Sequence, residues 1–328
     1  MSLLGRSGVI AANLQVGADL LSIEKLQSNI GVAVKGFELG SQGFLINDET
    51  AKGLLASNPR LGLVLHPYQN GKDLTLGKCD RYVIDFHGLS HEQASGFPEV
   101  YNHILVNVEP ERTSNREART ASKWWLFRRS GQELRNATAG LQRFIATTRT
   151  AKFRIFQFLD SAVHAESKIV VIASPDPFHL SVLSSTPHTI FSTRAGGWLG
   201  VGNDPTYNHN DCFETFPFPA LEEGALKDRL RDLGDRLDAH RKRQQALHPG
   251  LTLTGIYNVL EKLRSGAALN AKEKQIHDDG LVTLLRQIHD EIDQAVLQAY
   301  GWGNLLTIWA GLPDPSCRDA FEEEILTR

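Results

Sequence analysis

Residues 216–219 read Phe216-Pro217-Phe218-Pro219 and divide the sequence into two parts of different character. Proline has no backbone N–H and restricts the residue before it, so two prolines this close interrupt both helices and strand ladders. The chain before this tetrapeptide mixes strand and helix patterns, whereas the chain after it is helical. We therefore expect a domain boundary at residue 219.

Three helical patterns follow the tetrapeptide. The leucines from Leu226 to Leu237 are spaced by four, three and four residues, which is the spacing of a heptad seam. A second helix is predicted over residues 254–264, and a third over residues 271–300, where the apolar residues form one stripe. Residues 221–328 carry 14 basic and 18 acidic side chains, so the helical part is acidic.

The part before the tetrapeptide alternates between the two kinds of element. Residues 81–86 are rich in β-branched and aromatic side chains and predict a strand. Ser90 is a favourable N-cap for a helix that we expect to run to about Val108, with Pro98 as a kink or break. Further strands are expected within residues 143–159 and 168–173, and a short helix is expected over residues 178–191.

A basic segment, residues 112–154, is the strongest physical signal in the sequence. It holds eleven basic and two acidic residues, a net charge of +9, in a chain whose formal net charge is −3. Clustered arginines and lysines supply affinity for nucleic acid, because each neutralised phosphate releases counterions. Two other interpretations stay open: a basic face paired with acidic residues elsewhere in the chain, and cation–π packing with the interspersed aromatic residues.

The sequence offers no convincing catalytic, cofactor or metal site. Asp204-Pro205-Thr206-Tyr207 and Ser174-Pro175-Asp176-Pro177-Phe178 approach the loop of amino-methyltransferases, but neither has adjacent prolines in the required register. Glu166-Ser167-Lys168 resembles the end of a nuclease motif without a suitably spaced partner. The histidines show no HExxH spacing. We therefore predict that the chain holds no catalytic, cofactor-binding or metal-binding residues.

The three cysteines and the hydropathy indicate the compartment. Cys79, Cys212 and Cys317 lie far apart and form no CxxC pair, which favours free thiols in a reducing cytoplasm. No apolar run approaches the roughly 18 residues of a membrane span. We expect a cytoplasmic protein with no membrane partner.

An ordered set of short stretches resembles the target-recognition region and C-terminal helical region of the MmeI-like adenine-specific DNA methyltransferases of restriction-modification systems. The resemblance covers about residues 30–328. The stretches that carry it are Cys79–Phe86, Trp124-Trp125, Arg143–Thr148, Lys152–Phe156, Leu183–Ser185 with His188, Phe213–Pro219, Leu253–Leu260, Lys272–Lys274 with His277 and Gly280, and His289–Trp302.

The resemblance implies an α/β (α+β) target-recognition domain with a mixed or antiparallel sheet, followed by an all-α helical domain. The corresponding division is a connector from a missing methyltransferase domain (1–35), the recognition domain (36–219) and the helical domain (220–328). The partners implied are double-stranded DNA and the methyltransferase domain of the parent chain. S-adenosylmethionine would be the cofactor of that parent enzyme and not of this chain.

DNA-contacting residues follow from the resemblance together with the basic segment. Candidates for phosphate contacts are Arg128, Arg129, Arg149, Lys152 and Arg154. Candidates for base readout are Arg194, which can bind guanine bidentately, and Asn203 and Asn208, which can bind adenine. For each base-readout candidate an ordinary loop role is an alternative of at least equal weight.

The function expected is sequence-specific DNA recognition for a site-specific adenine-N6 methyltransferase of a restriction-modification or phage-defence system, with no catalysis by this chain alone. The alternative is a helical protein-interaction or specificity subunit that docks a separate methyltransferase or nuclease. An apolar exposed face on residues 226–237 would favour that alternative. A groove lined by residues 112–154 would favour DNA.

Overall fold

The computed structural model describes residues 23–114, 118–198, 204–306 and 315–328. The chain forms two compact units, and each consists of more than one stretch of sequence. The sheet unit comprises Val34–Thr147 and Leu159–Ala173. The helical unit comprises the described part of residues 1–33 together with Thr148–Phe158 and Ser174–Arg328.

In the described part of the chain, eight strands belong to two four-stranded sheets. The strands are β1 (Ala33–Lys35), β2 (Leu45–Asn47), β3 (Leu65–Gln69), β4 (Arg81–Ile84), β5 (Arg143–Thr148), β6 (Gln157–Asp160), β7 (His164–Ala165) and β8 (Ile169–Ile172). The first sheet has the order β1-β8-β5-β6, and the second has the order β2-β4-β3-β7. In the second sheet, β4 pairs antiparallel with β2 and β3, whereas β7 pairs parallel with β3. The mixed sheet expected from the sequence is therefore confirmed.

Among the described residues, seven short α-helices connect these strands: α1 (Asp48–Ser57), α2 (Gly71–Leu76), α3 (His91–Ser95), α4 (Pro98–Asn107), α5 (Glu109–Thr113), α6 (Ala118–Ser122) and α7 (Gln132–Thr138). Local chemistry fixes where two of them begin. Ser90 caps α3 by accepting the N–H of Gln93 (3.1 Å), and the Gln93 side chain accepts the N–H of Ser90 (2.9 Å). Asn70 and Asp73 form the same reciprocal box at α2.

The core of the sheet unit is assembled from both of its chain segments. Phe44, Val83 and Phe86 are fully buried together with Ile169 and Val171, which come from the later segment. Strand β8 is buried at all four positions, as expected of a strand covered on both faces. The sheet unit therefore requires residues 159–173 for a complete core.

The helical unit contains one hairpin and eight helices among its described residues. They are β9 (Gly197–Trp198), β10 (Pro205–Thr206), α8 (Pro177–Ser184), α9 (Thr186–Ala195), α10 (His209–Cys212), α11 (Ala225–Leu247), α12 (Leu253–Ser265), α13 (Ala271–Gly280), α14 (Val282–Ala299) and α15 (Pro315–Thr327). The leucines of the predicted heptad seam at 230, 233 and 237 are completely buried in α11, and Leu226 packs partly buried at its start.

Helix α11 approaches α8 unusually closely at Gly234. A Cβ added at this glycine would lie 2.3 Å from the carbonyl oxygen of Pro177 and 2.9 Å from Oγ of Ser181. Ser181 donates its hydroxyl to the carbonyl of Leu230 at 2.5 Å. A larger residue at position 234 would push the two helices apart, so this contact explains the glycine inside a long helix.

Two predicted helices are interrupted in the structure. The helix expected over residues 271–300 is divided into α13 and α14, because Leu281 adopts a left-handed conformation with φ of 43°. The helix expected over residues 178–191 is divided at Ser185, which caps α9 just before Thr186-Pro187. The helix expected after Ser90 breaks before Pro98, as anticipated. Helix α12 matches the predicted 254–264 to within one residue at each end.

The compact units do not follow the predicted linear division at residues 35 and 219. Residues 148–158 and 174–219, expected in the recognition domain, contribute their contacts to the helical unit. The domain division of the family stays a prediction, since packing units and sequence domains are different quantities. Within the described residues, no helix is both long and apolar enough to cross a membrane.

Candidate nucleic-acid interface

The basic segment is shared between the two units. Residues 112–147 belong to the sheet unit, and residues 148–154 belong to the helical unit. Each part of the segment is therefore described within its own unit. In both parts some basic side chains are exposed to solvent, and others bind backbone carbonyls or carboxylates of the chain itself.

Arg128 and Arg129 are two exposed cations of the first part. The backbone N–H of Arg128 donates to the carbonyl of Leu39 (3.1 Å), and that of Arg129 donates to the carbonyl of Glu38 (3.3 Å). This pairing holds both residues against the segment 38–40. Their side chains are 54% and 77% exposed, and each lies 3.4 Å from the Glu38 carboxylate. Exposed ion pairs of this kind are weak, so both guanidinium groups can exchange Glu38 for another anion.

Gly40 makes this arrangement possible. Its φ is +79°, and a Cβ at this position would lie 2.7 Å from Cβ of Arg128. A side chain would therefore be strained by the backbone and would also displace Arg128. The glycine lets the chain turn beside the two arginines and keeps their backbone in place.

A cleft lies beside Arg128 within the sheet unit. Its lining includes Arg112, Lys123, Arg128 and Arg135, against a single carboxylate, that of Asp85. Lys123 is exposed at this position. The excess of positive charge gives the cleft an affinity for anions. Sequence reasoning did not single out Lys123, because only the fold brings it beside Arg128 and Arg135.

Two of the cleft arginines are structural. The Arg112 side chain is only 2% exposed and donates from Nη1 to the carbonyls of Leu39 (3.1 Å) and Leu126 (2.7 Å). Its guanidinium also lies 5.6 Å from the centre of the Phe44 ring. The cation–π packing that the sequence left open as an alternative therefore occurs here.

Arg135 belongs to a buried ionic network. It forms an ion pair with Asp85, and His164 donates Nε2–H to the same carboxylate at 2.9 Å. Burial raises the pKa of the Asp85 carboxyl, but the hydrogen bonds and charges of His164 and Arg135 outweigh it, so that the pKa lies below its usual range. Burial, with His164 nearby, lowers the pKa of His66 to about 4.

His66, Asp85 and His164 form the one group within the described residues that is close enough to hold a metal ion, with ligand atoms within 4.8 Å of one another. The ring geometry argues against such an ion. A metal lies in the plane of each imidazole that binds it, about 2 Å from the nitrogen. The rings of His66 and His164 are stacked, with centres 4.3 Å apart and planes inclined by 8°. Because the two ring planes are nearly parallel and stacked, no single position lies in both planes, so one ion could not bind both imidazoles. The predicted lack of a metal site stays a prediction.

Arg149, Lys152 and Arg154 form the second part of the basic segment, in the helical unit. Arg149 is exposed, and its carbonyl accepts the backbone N–H of Tyr207 at 2.6 Å. Lys152 is also exposed but donates to Asn258 (2.8 Å) and Glu261 (3.1 Å). Of the two side chains, that of Arg149 is the better placed for a phosphate.

Arg154 is held inside the chain, which does not support its assignment as a phosphate contact. Its guanidinium donates to the carbonyl of Thr148 and to that of Pro205 (3.2 Å), and lies 4.9 Å from the centre of the Tyr207 ring. Burial lowers the pKa of this guanidinium. The basic pattern of the sequence could not distinguish this residue from its exposed neighbours.

Two of the base-readout candidates, Arg194 and Asn208, lie close in sequence to the hairpin of β9 and β10. Strand β10 pairs antiparallel with β9 and is bridged on its other side to Thr150. Asn208 follows the hairpin and caps α10, accepting the N–H of Asn210 (3.2 Å) and donating to Asp211 (2.7 Å). Arg194 lies half-buried in the last turn of α9. Asn203 lies outside the described residues. The structure thus brings Arg149, Arg154 and Asn208 to one hairpin.

The methyltransferase-like stretches have structural roles. Tyr207 is 1% exposed, and its hydroxyl is bonded to His188, so its ring has no free face for a flipped base. Asp176 caps α8 by accepting the N–H of Phe178 (2.9 Å) and also forms an ion pair with Arg231 (3.0 Å). Phe178 itself is in the core of the helical unit.

Comparisons with known proteins agree with the resemblance found in the sequence. The family model for the target recognition domain of MmeI matches residues 22–220. Among solved structures, a chain from the "Structure of Type IIL restriction-modification enzyme MmeI in complex with DNA" is similar over 89% of this chain, with 18% identity and a TM-score of 0.63. This chain spans 36% of the length of that one. No curated protein matches.

Proposed function

Because the chain belongs to the MmeI target recognition domain family, we propose that it recognises a specific sequence in double-stranded DNA. The fold is shared with a solved enzyme whose structure is a complex with DNA. The proposal for this chain rests further on its own geometry: exposed arginines in both units, and a hairpin with candidate base-reading residues around it.

The hairpin of β9 and β10 is the observation that carries the proposal. The major groove of DNA is wide enough for a two-stranded ribbon, and it displays a distinct pattern of donors and acceptors for each base pair. This ribbon is joined through Thr150 to an exposed arginine, Arg149, one residue away. A short ribbon beside an exposed cation can place side chains on base edges while the cation binds a phosphate.

The sheet unit supplies phosphate contacts in this proposal. Arg128 and Arg129 share one carboxylate, and Lys123 lies in the neighbouring cleft. A DNA phosphate can replace Glu38 as the partner of either arginine, because the exchange leaves each guanidinium paired. Such contacts fix the register of DNA without reading its sequence.

The wider setting we propose is a site-specific adenine-N6 methyltransferase of a restriction-modification or phage-defence system in the cytoplasm. Methyl transfer from S-adenosylmethionine to a flipped adenine would be the work of a separate methyltransferase domain of the parent chain. This chain would select the site and position that domain.

The alternative, a helical protein-interaction subunit, loses its main support in the structure. Its discriminating feature was an exposed apolar face on residues 226–237. Leu230, Leu233 and Leu237 are instead completely buried within the helical unit.

The test is binding of the chain to a random-sequence fluorescent duplex, measured by anisotropy across a salt series. We expect affinity to fall steeply with salt, and the double variant Arg128→Gln/Arg129→Gln to lower the slope of log affinity against log salt by about 1 to 2. The double variant Lys272→Gln/Lys274→Gln removes the same charge from exposed positions of α13 and serves as the control. Absence of binding at low salt, or an equal loss in both double variants, would contradict the proposal.

A further inference from the structure

Arg154 lies where the hairpin of β9 and β10 is attached to the rest of the helical unit. The carbonyl of Pro205, in β10, accepts hydrogen bonds from Nη2 of Arg154 (3.2 Å) and from the backbone of Ala151 (3.4 Å). The other terminal nitrogen of Arg154 donates to the carbonyl of Thr148. One guanidinium therefore ties β10 to the segment that pairs with it.

Tyr207 extends this attachment, because its ring contacts the guanidinium of Arg154. Its ring centre lies 4.9 Å from Cζ of Arg154, and its backbone N–H donates to the carbonyl of Arg149 (2.6 Å). The ring also packs edge-on against Phe156, with centres 5.5 Å apart. Tyr207 is almost completely buried, so it can leave this position only if the surrounding core opens.

His188 anchors Tyr207 to the helices. Its Nδ1 lies 2.9 Å from the carbonyl of Leu183, which can only accept, so Nδ1 carries the proton. Nε2 is then an acceptor for the Tyr207 hydroxyl at 3.2 Å. Burial lowers the pKa of His188 to about 3, which keeps the ring neutral and this polarity fixed at neutral pH. Thus a continuous set of contacts runs from α8 through His188 and Tyr207 to Arg154.

We infer that Arg154 is a positioning residue for sequence readout: it fixes the β9–β10 hairpin through Thr148, Pro205 and Tyr207 instead of binding a DNA phosphate. The inference rests on the proposed function, since it assigns the hairpin to base recognition. A site that reads bases must be held to within about half an ångström, and a preorganised element loses less entropy on binding.

The geometry requires arginine specifically. A planar guanidinium can donate in two directions and stack on a ring at the same time, whereas a lysine ammonium is a point charge on a flexible stem. Arg154→Lys should therefore behave like Arg154→Gln. At a phosphate contact, by contrast, lysine would retain most of the function.

The test is selection of duplexes from a library with a randomised central region, followed by sequencing, for the full chain and its variants. We expect the wild type to enrich a sequence motif, and Arg154→Gln and Arg154→Lys to enrich it about tenfold less, the size of one poorly read base pair. The salt dependence of their binding to the unselected library should stay unchanged. Arg149→Gln is the matched control: it should retain the motif and lower the salt slope by about 1.

A second measurement reports on the hairpin without DNA. Hydrogen exchange of the backbone amides of Ala151 and Tyr207 should accelerate in Arg154→Gln, because these amides bond β10 to the segment after β5, which Arg154 also joins to β10. If this variant does not fold, Tyr207→Phe keeps the ring and removes only the hydroxyl contact with His188. It should show the same faster exchange and a smaller loss of motif enrichment.

The outcomes separate the inference from the proposed function. If the Arg154 variants enrich the motif as strongly as the wild type, and their hydrogen exchange is also unchanged, the inference is overturned and the proposed function is not. If Arg154→Gln lowers the salt slope of binding by about 1 and Arg154→Lys restores it, Arg154 is a phosphate contact, and the inference is again overturned. A wild-type chain that enriches no sequence overturns the proposed function, and the inference with it.

Discussion

The two parts of the basic segment use their arginines differently. In residues 112–147, of the sheet unit, Arg112 is buried and donates to the backbone carbonyl of Leu39, and Arg135 binds the buried carboxylate of Asp85. In residues 148–154, of the helical unit, Arg154 joins two backbone carbonyls and stacks on a tyrosine. Each part nevertheless leaves at least one arginine in solvent. The density of charge along a sequence therefore overstates the charge available to a partner.

In each unit a histidine belongs to the same network of contacts as a partly buried arginine. In the sheet unit His66 stacks on His164, which is bonded to Asp85 and through it to Arg135. In the helical unit His188 bonds the tyrosine on which Arg154 stacks. The first histidine pair lies beside a carboxylate and is partly accessible, whereas His188 is neutral and fully buried. The two units should therefore respond differently to mutation, acid and salt.

The largest effect is expected from Arg112→Ala. It leaves the carbonyls of Leu39 and Leu126 without their donor and opens a cavity in the core, so the free energy of unfolding should fall by about 3 kcal/mol. Arg128→Ala, from the same unit, should cost less than about 0.5 kcal/mol because its ion pair is exposed. Urea denaturation followed by circular dichroism measures both. If both substitutions lowered the free energy of unfolding equally, the distinction between buried and exposed arginines would be wrong.

Acid should act on the sheet unit through His66. Its pKa is about 4 in the fold against an ordinary value of 6.5, so the unfolded chain takes up a proton first as the pH falls. The stability that depends on neutral His66 is complete above pH 6.5 and is lost between pH 6.5 and 4, by at most about 3 kcal/mol. Asp85, His164 and Arg135 are the charged or titratable groups that influence it.

Denaturation at several pH values checks this prediction. His66→Gln should flatten the decline between pH 6.5 and 4, whereas His87→Gln, at an exposed position of the same unit, should leave it unchanged. A decline that is identical in wild type and His66→Gln would show that another group is responsible.

Arg149→Gln should have a moderate effect, confined to DNA. The side chain is exposed and its loss should lower the salt slope of duplex binding by about 1, with less than about 0.5 kcal/mol change in stability. Anisotropy titrations and denaturation of the same preparation measure the two quantities. A large loss of stability would place Arg149 with the structural arginines and weaken the comparison.

Lys152→Gln should have the smallest effect. Its amine already contacts Asn258 and Glu261, so moving it to a phosphate would cost those contacts. We expect a smaller change in salt slope than for Arg149→Gln and a stability change below about 0.5 kcal/mol, since the pair with Glu261 is exposed. A slope change as large as that of Arg149→Gln would restore Lys152 as a full phosphate contact.

Local features of the fold could be predicted from the sequence. The strand at 81–84 and the Ser90 cap follow from side-chain chemistry within a few residues, and so does helix α12. The break at Leu281 could not be predicted, because a leucine gives no local sign of a left-handed conformation. The return of residues 148–158 to the helical unit depends on partners such as Asp238, which are distant in sequence.

The candidate site shows the same limit more sharply. Composition identified the basic segment, and family resemblance predicted a role in DNA recognition. Neither could separate Arg154 from Arg149, because the acceptors of Arg154 include a carbonyl at position 205. The same holds for Arg128, whose exposed pairing depends on Glu38.

The interleaving of the two units has a consequence for synthesis on the ribosome. The sheet unit is complete once residue 173 has emerged, whereas residues 148–158 have to wait for α11, which brings Asp238 and Arg241. That delay is about 90 residues, or roughly 5 to 20 seconds of translation. During it the apolar side chains of Phe156 and Phe158 lack their final neighbours. A nascent chain stalled near residue 200 would thus expose an aggregation-prone segment that the finished protein conceals.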